Sequence, residues 1–523
     1  MMDDNTLFID EEIQTPDIDK LLPPDREYTR FESVFAWFCV LVGYLICRAF
    51  PPSVYSLGCC LVVAITLTLS VVSLVKKRVK IKPVSLFPLS ACVCFGVSFV
   101  TSGDEMSLFL SVLGSVVCYS LFVYLANGHK IENAESDFII FDIYRAMKGL
   151  TSAGSKDMLK IMFSGRKKTL FAILKILAGI FIAVIPTAII ITLLSFDENF
   201  SAMLGNIGKF FDNFNLISHI FSLAIGLLIG CYIFGLYKIN TEARTDDETE
   251  KRKEQLKSVR IAPSLTVAVA LLPIVAVYII FFVSQWDYYV SGFSGTLPEG
   301  VYNYAEYARD GFFELCCVSA INLVILIAVG FLLKRDRYAE TLLLKCVNLV
   351  FSAMTLVLIG TALSKMALYI DVYGLTEKRV LSSWLMILLA LLFIAIIIAQ
   401  FVPKMKLITV SVIIVCIASA VLTLADYRTI IANYNVDKYI SGDIKEVRMS
   451  DLMALGDSAV PATVRLLEYY ENNIVVPSYE RENAAEYLRA RRDGLEETNG
   501  LFKLSLPKYR AANSLEEYFD SKG

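Results

Sequence analysis

The sequence predicts an all-α, polytopic transmembrane helix bundle of about eleven spans, followed by a small helical extracytoplasmic domain. Of its 523 residues, 56% are hydrophobic and only 19% are charged, and the mean hydropathy is +0.58. Soluble domains are about 45–50% apolar and about 25% charged. Apolar runs of the length that crosses a hydrocarbon core, about 20 residues, recur along the chain. Basic residues are concentrated in alternate connections, as in polytopic proteins.

Residues 1–32 are acidic and polar, with Pro23 and Pro24 in the middle. This composition predicts a disordered cytoplasmic tail. The segment has no basic n-region followed by a cleavage site, so we do not interpret it as a signal peptide.

Residues 33–425 form the predicted transmembrane bundle. The third span is short and the ninth is long for a single crossing. Segment 127–169 is too polar to span, and its stretch DFIIFDIYRAMKGL predicts either a helix on the membrane surface or a helix packed under the bundle. The predicted spans are 33–50, 54–75, 84–101, 107–126, 170–195, 214–236, 264–284, 311–333, 343–370, 380–402 and 407–425.

The connections predict the orientation of the chain. Those after even-numbered spans, including the charged loop 237–263, carry 25 Lys and Arg residues, against four after odd-numbered spans. Because cytoplasmic loops are enriched in Lys and Arg, the N-terminus is predicted inside and the C-terminus outside. The predicted location is the bacterial plasma (inner) membrane, with the lipid bilayer as the main partner.

The composition also narrows the function classes. A net charge of −3 disfavours nucleic-acid binding. All twelve cysteines lie in apolar runs, where cysteine serves as a small apolar residue. Only His129 and His219 could supply imidazole ligands, so we predict no metal site. Phosphate-binding, dinucleotide and nucleophile-elbow motifs are missing, and we predict no cofactor and no catalytic residue.

The extracytoplasmic segment 285–310 is the longest aromatic-rich interruption of the bundle. Tyr and Trp rings favour the headgroup region, so these side chains predict either an anchoring belt or part of a working outer face. The candidate aromatic interface consists of Trp286, Tyr288, Tyr302, Tyr304 and Tyr307.

A candidate outer polar cluster lies at the mouths of spans eight and nine. Glu306, Asp310 and Glu314 have i, i+4, i+8 spacing and would share one helix face. Spans eight and nine, joined by a short loop, should be antiparallel neighbours, which would bring Glu314 and Lys365 to similar depth. These side chains then either line an outward-facing pocket or extend separately to the interface. The full cluster is Glu306, Arg309, Asp310, Glu314, Lys365, Asp371 and Arg379.

Residues 426–523 are predicted to form the soluble helical domain. Helical patterns cover 450–470 and 478–495, and Ser514 with Glu517 has the capping-box spacing. Without histidine, cysteine or a nucleophile motif, this domain reads as an interaction or lid domain, in contact with a protein partner or an envelope component.

Several stretches carry a family resemblance. They resemble an uncharacterised bacterial multi-pass membrane family named only as a domain of unknown function (the 4153/4173 type). The resemblance implies a bacterial inner-membrane bundle with an extracytoplasmic tail and brings no activity for any residue. The stretches include GVYNYAEYARDGFFELCCVSAINLVIL (300–326), YGLTEKR (373–379), LADYRTIIANYNVDKYISG (424–442) and FKLSLPKYRAANSL (502–515).

Three function hypotheses follow. The first is a non-enzymatic sensor or scaffold that uses the outer domain and the aromatic loop. The second is a transporter or channel for a small solute, with polar residues of spans eight and nine along its path. The third is a membrane enzyme acting on envelope or lipid-linked substrates. Because the charges are concentrated at the outer helix ends, the sequence favours the first hypothesis.

Overall fold

The computed structural model describes most of the transmembrane bundle and the C-terminal helices. The residues described are 30–49, 56–76, 83–127, 158, 161–162, 179, 186, 216–241, 260–284, 312–333, 338–402, 405–473, 477–497 and 504–522. Within these ranges the chain is helical and contains no β-strand, so the all-α fold prediction is confirmed.

Ten helices form the membrane part of the described chain. Their bounds are α1 Arg30–Ala49, α2 Leu57–Lys76, α3 Leu86–Thr101, α4 Glu105–Ala126, α5 Leu216–Thr241, α6 Ser264–Ser284, α7 Phe312–Leu332, α8 Tyr338–Tyr373, α9 Glu377–Phe401 and α10 Leu407–Leu424. A 3-10 turn, Pro83–Ser85, precedes α3.

The described helices agree with the predicted spans. Nine of those described, α2 to α10, are long and apolar enough to cross a membrane. The short third span is a helix, and the long ninth span is one unbroken helix. Helix α1 lies over the first predicted span. The fifth predicted span, 170–195, falls outside the described residues apart from positions 179 and 186.

The helices pack as two groups joined by α10. Helices α1 to α5 share one apolar core, and α6 to α9 share another. Helix α10 packs against α3 and α4 on one side and α9 on the other. Helix α8 is the centre of the second group because it contacts α6, α7 and α9. Its 36 residues extend about 54 Å at 1.5 Å per residue, longer than a hydrocarbon core about 30 Å thick.

Helices α1 and α5 approach closely through three glycines. A Cβ atom on Gly226 would lie 2.7 Å from the backbone N of Tyr44, and one on Gly230 would lie 2.8 Å from the carbonyl O of Cys39. Gly43, on the facing side of α1, has no room for a Cβ beside the Gly226 carbonyl. The GxxxG pair Gly226 and Gly230 therefore allows the two backbones to touch, the usual role of small residues between membrane helices.

Five further helices follow the last span. They are α11 Tyr427–Ile440, α12 Met449–Ala454, α13 Val460–Asn472, α14 Ser478–Glu497 and α15 Leu506–Asp520, with a 3-10 turn, Gly456–Ala459, between α12 and α13. Their shared apolar core includes Ile431, Leu466 and Leu488, and Leu375 and Trp384 of the membrane bundle pack against it. These helices, here called the C-terminal helical domain, thus rest directly on the bundle.

We expect Gly226→Ala to lower the free energy of unfolding by about 1–3 kcal/mol, the usual cost of overpacking, because the new methyl group meets immovable backbone. Thermal unfolding of the purified protein in detergent measures this. Gly330→Ala is the matched control, since no described atom lies within 4 Å of its Cβ position. Equal melting temperatures for the two variants would contradict the close approach of α1 and α5.

Candidate functional site

The structure describes four members of the predicted polar cluster. Glu314, Lys365, Asp371 and Arg379 lie in described helices. The other members, Glu306, Arg309 and Asp310, lie outside the described residues, as do the five predicted interface aromatics Trp286, Tyr288, Tyr302, Tyr304 and Tyr307. The predicted outer pocket as a whole therefore stays a prediction.

Glu314 and Lys365 differ in their surroundings. The side chain of Glu314 is exposed in the first turn of α7, where the helix dipole favours an anion. Lys365 is only 1% exposed and lies on α8 beside the buried Met366. The ion pairs among the described residues do not include one between these two groups. Lys365 is thus held inside the second helix group rather than at its surface.

Arg379 stabilises the corner between α8 and α9. Gly374 ends α8 with φ = +74°, a left-handed conformation typical of helix C-termini. The Arg379 guanidinium donates to the carbonyls of Tyr373 and Gly374 through Nη1 and lies 3.9 Å from the centre of the Tyr369 ring. Thr376 caps α9 by accepting a bond from the Arg379 backbone N–H. The side chain of Asp371, in the last turn of α8, is exposed.

Asn435 of the C-terminal helical domain binds the turn between α8 and α9. The amide of Asn435 accepts a hydrogen bond from Leu375 N at 2.7 Å and donates one to Leu375 O at 2.8 Å. Both backbone groups of Leu375 are thereby paired with one side chain 60 residues away in sequence. A Cβ on Gly374 would collide with Asn435 Oδ1, so glycine is required there by the contact as well as by its φ.

Arg428 links the C-terminal helical domain to two parts of the bundle, the start of α9 and the turn between α3 and α4. Its guanidinium forms an ion pair with Glu377 at the start of α9 and donates to the carbonyl of Gly103 at 2.9 Å. Gly103 lies between α3 and α4, next to Asp104, which caps α4 by accepting from Ser107 N at 2.7 Å. One side chain of α11 therefore contacts loops that belong to the two different helix groups.

Asp426 is the first residue of the domain and is almost fully buried, at 6% exposed. It has φ = +42°, and its carboxylate accepts from Thr429 Oγ1 at 2.6 Å and from Ser458 Oγ at 3.2 Å. Arg510 Nη1 lies 3.7 Å from the same carboxylate. Burial raises the pKa of Asp426 above its ordinary value, despite the opposing effect of these hydrogen bonds and of Arg510.

Residues 103–104, 374–379 and 426–435 together form what we call the docking joint. Sequence reasoning found Arg379 but missed Asn435, Arg428 and Asp426. The sequence does contain local indications of these turns. Asp426 stands three residues before Thr429, the spacing of a helix N-cap, and Gly374 follows a predicted span, where a helix can end. Neither indication shows that the segments around Gly374 and Asp426 contact each other.

A second polar arrangement lies inside the membrane bundle. Tyr278 of α6 donates to Asn322 Oδ1 of α7 at 2.6 Å, and Asn322 Nδ2 donates to Thr355 Oγ1 of α8 at 2.9 Å. Asn322 thus joins three spans, the role expected of a polar residue between membrane helices. One to two turns away on α8, Ser352 Oγ and Asn348 Oδ1 are buried and have no hydrogen-bond partner among the described residues.

Comparison with known proteins gives one family. The family model described as a domain of unknown function (DUF4153) matches residues 89–466. The chain belongs to this family. The DUF4153 match contains every segment of the docking joint and ends within α13, before α14 and α15. No curated protein and no solved structure matches the chain. Among the described residues, no group of three His, Cys, Asp or Glu side chains is placed to hold a metal ion.

We expect Asn435→Ala to lower the free energy of unfolding by about 1–3 kcal/mol, because it removes the partner of the half-buried N–H and C=O of Leu375. Hydrogen exchange at the Leu375 amide should accelerate in parallel. Asn433→Ala is the control on the same helix, since Asn433 accepts an exposed hydrogen bond from Arg465, and we expect a change within about 0.5 kcal/mol. Similar effects of both substitutions would contradict the joint.

Asp426 should give the joint a pH dependence. Its folded pKa lies above the unfolded value of about 3.9, so folding favours the neutral form. Its contribution to the free energy of unfolding is therefore largest below pH 4 and decreases as pH rises through the folded pKa.

Asp426→Asn keeps an acceptor for Thr429 and Ser458 and suits the left-handed conformation. We expect its melting temperature, relative to that of the unsubstituted protein, to rise between pH 4 and pH 7. Asp426→Ala, which removes the acceptor, should be less stable than both at every pH. A constant difference between Asp426→Asn and the unsubstituted protein would show that burial does not perturb this carboxyl.

Proposed function

We propose that this member of DUF4153 is a non-enzymatic sensor or scaffold of the bacterial plasma membrane. Its N-terminus is cytoplasmic, and its C-terminal helical domain is extracytoplasmic. The docking joint is the observation that carries the proposal. It connects the domain to both helix groups, so that a change in the domain reaches the whole bundle.

The contacts of the domain support this orientation. The domain contacts the loops at 102–104 and 374–376, which follow odd-numbered spans and are poor in Lys and Arg. At the opposite end, Ala262 N donates to Leu332 O at 3.0 Å, next to the basic connections at 237–263 and 334–342. The basic end is the cytoplasmic end in polytopic proteins.

Helix α8 connects the docking joint to the opposite, basic end of the bundle. It begins beside the basic connection and ends at Tyr373, directly before the loop that Asn435 holds. A continuous helix transmits a displacement of one end to the other without internal rearrangement. Binding of a protein or envelope component to the domain would thereby change the cytoplasmic end of α8.

Transport of a small solute is the second candidate. Lys365 and Ser352 of α8 are buried, and the hydrogen-bonded chain Tyr278–Asn322–Thr355 links α6, α7 and α8. Ionisable and polar groups inside a membrane bundle commonly mark solute pathways. This candidate requires water to reach the buried residues of α8 from the outside.

Thiol labelling of a cysteine-free chain separates the two candidates. Single cysteines replace Asn513 on the domain, Ile261 at the opposite end and Ser352 in the interior. With a membrane-impermeant reagent on intact cells, we expect labelling at Asn513, labelling at Ile261 only after permeabilisation, and protection at Ser352. Labelling at Ser352 from outside would favour transport, and protection at Asn513 would overturn the orientation.

The same background tests coupling. A cysteine at Lys345, an exposed position near the start of α8, reports on the cytoplasmic end in inverted vesicles. Asn435→Ala, which opens the joint, should change the labelling rate at this position, whereas Asn433→Ala should not. An unchanged rate in both would contradict a sensor that works through α8.

A further inference from the structure

The C-terminal helical domain contains a cavity of about 480 Å³, distinct from the docking joint. It lies between α12, the 3-10 turn, α14 and the first turn of α15. Its lining residues are Met453, Asp457, Tyr487, Ala490, Arg491, Gly494, Leu495 and Lys508. The volume is within the range of about 300–1,000 Å³ that is typical of small-molecule sites.

The charged groups of the lining carry an excess of positive charge. Arg491 Nη1 donates to Asp457 Oδ1 at 3.2 Å, which neutralises one cation. Lys508 is half-buried, and the ion pairs within the described parts of the chain do not include it. A guanidinium offers five N–H donors in a planar fork, so Arg491 retains donors beyond the one that Asp457 uses.

The remaining lining is apolar. Met453 is 40% exposed at the cavity, and Leu495 and the ring of Tyr487 extend the apolar wall. The Tyr487 hydroxyl donates to the carbonyl of Gly456 at 2.9 Å, so its polar atom is already paired. Burial raises the pKa of Tyr487, which keeps this hydroxyl neutral and able to donate. An occupant must therefore combine a negative group with a small apolar part.

The cavity and the docking joint share adjacent residues. Asp457 lines the cavity, while the next residue, Ser458, donates to Asp426 in the joint. Lys508 lines the cavity, while Arg510, two residues later, is 3.7 Å from the same Asp426 carboxylate. An anion that attracts Arg491 and Lys508 would thus act on two segments that hold Asp426.

We infer that this cavity binds a small organic anion, whose carboxylate or phosphate is held by Arg491 and Lys508 and whose apolar part rests on Met453, Leu495 and Tyr487. Binding displaces Asp457 as the partner of Arg491. In a second step, the bound anion alters the docking joint. This second step rests on the proposed sensor function.

Ligand-observed NMR titration of the full-length protein in detergent tests the binding. The probes are phenylphosphate and phenylacetate, with benzylamine as the cationic analogue and inorganic phosphate as the anion without an apolar part. We expect both aromatic anions to bind, benzylamine to bind not at all, and inorganic phosphate to bind more weakly than phenylphosphate.

Four variants locate the binding. Lys508→Gln should weaken the binding of phenylphosphate about tenfold, which is the effect of losing one charge-assisted hydrogen bond. Gly494→Leu should abolish binding while the melting temperature is retained, because no described atom lies within 4 Å of its Cβ position and leucine is the better helix former. Asp457→Asn should tighten binding by removing the competing carboxylate. Lys445→Gln, at an exposed position that does not line the cavity, should leave binding unchanged.

Two results would overturn the inference: equal affinity for benzylamine and the anions, or phenylphosphate binding that Lys508→Gln and Gly494→Leu leave intact. Coupling is measured separately, as the hydrogen exchange of Leu375 at saturating phenylphosphate. If the variants behave as expected but exchange at Leu375 does not change, the binding site stands and the proposed sensor function fails.

Discussion

The buried carboxylate of Asp426 is the point at which the membrane bundle becomes the C-terminal helical domain. It caps α11, accepts from Ser458 of the 3-10 turn and faces Arg510 of α15, so three segments of the domain meet on one side chain. Burial raises the pKa of Asp426 although its hydrogen bonds and Arg510 oppose the shift, so the ionised carboxylate is disfavoured at this position.

In the described part of the chain, the docking joint and α10 both link the two helix groups. Helix α10 joins them within the membrane, and outside it Arg428 reaches Gly103 of one group and Glu377 of the other. Asn435 then fixes the turn that ends α8. Without the domain, the carbonyl of Gly103 and both backbone groups of Leu375 would lose these hydrogen-bond partners.

Hydrophobic length sufficed to predict the spans that the structure describes, because the bilayer constrains every crossing helix in the same way. In α5, Gly226 and Gly230 have the small-residue spacing of closely packed membrane helices, but that spacing does not identify α1 as the partner. The docking joint was beyond such reasoning, since Arg428 and Gly103 are 325 residues apart and neither belongs to a periodic pattern. Arg379 was selected as a candidate pocket residue, and in the structure its guanidinium is engaged with backbone carbonyls and the Tyr369 ring.

The DUF4153 match includes the docking joint but only part of the cavity lining. The DUF4153 match ends at residue 466, so it includes the joint but not α14 and α15, which supply Tyr487, Arg491 and Lys508 to the cavity. On the proposed function, the joint would be the part of the domain that transmits a change, and the cavity would be the part that binds a ligand. Ser458 and Asp457, adjacent in the chain, face the joint and the cavity respectively. A ligand that draws Arg491 from Asp457 therefore acts one residue away from the contact that holds Asp426.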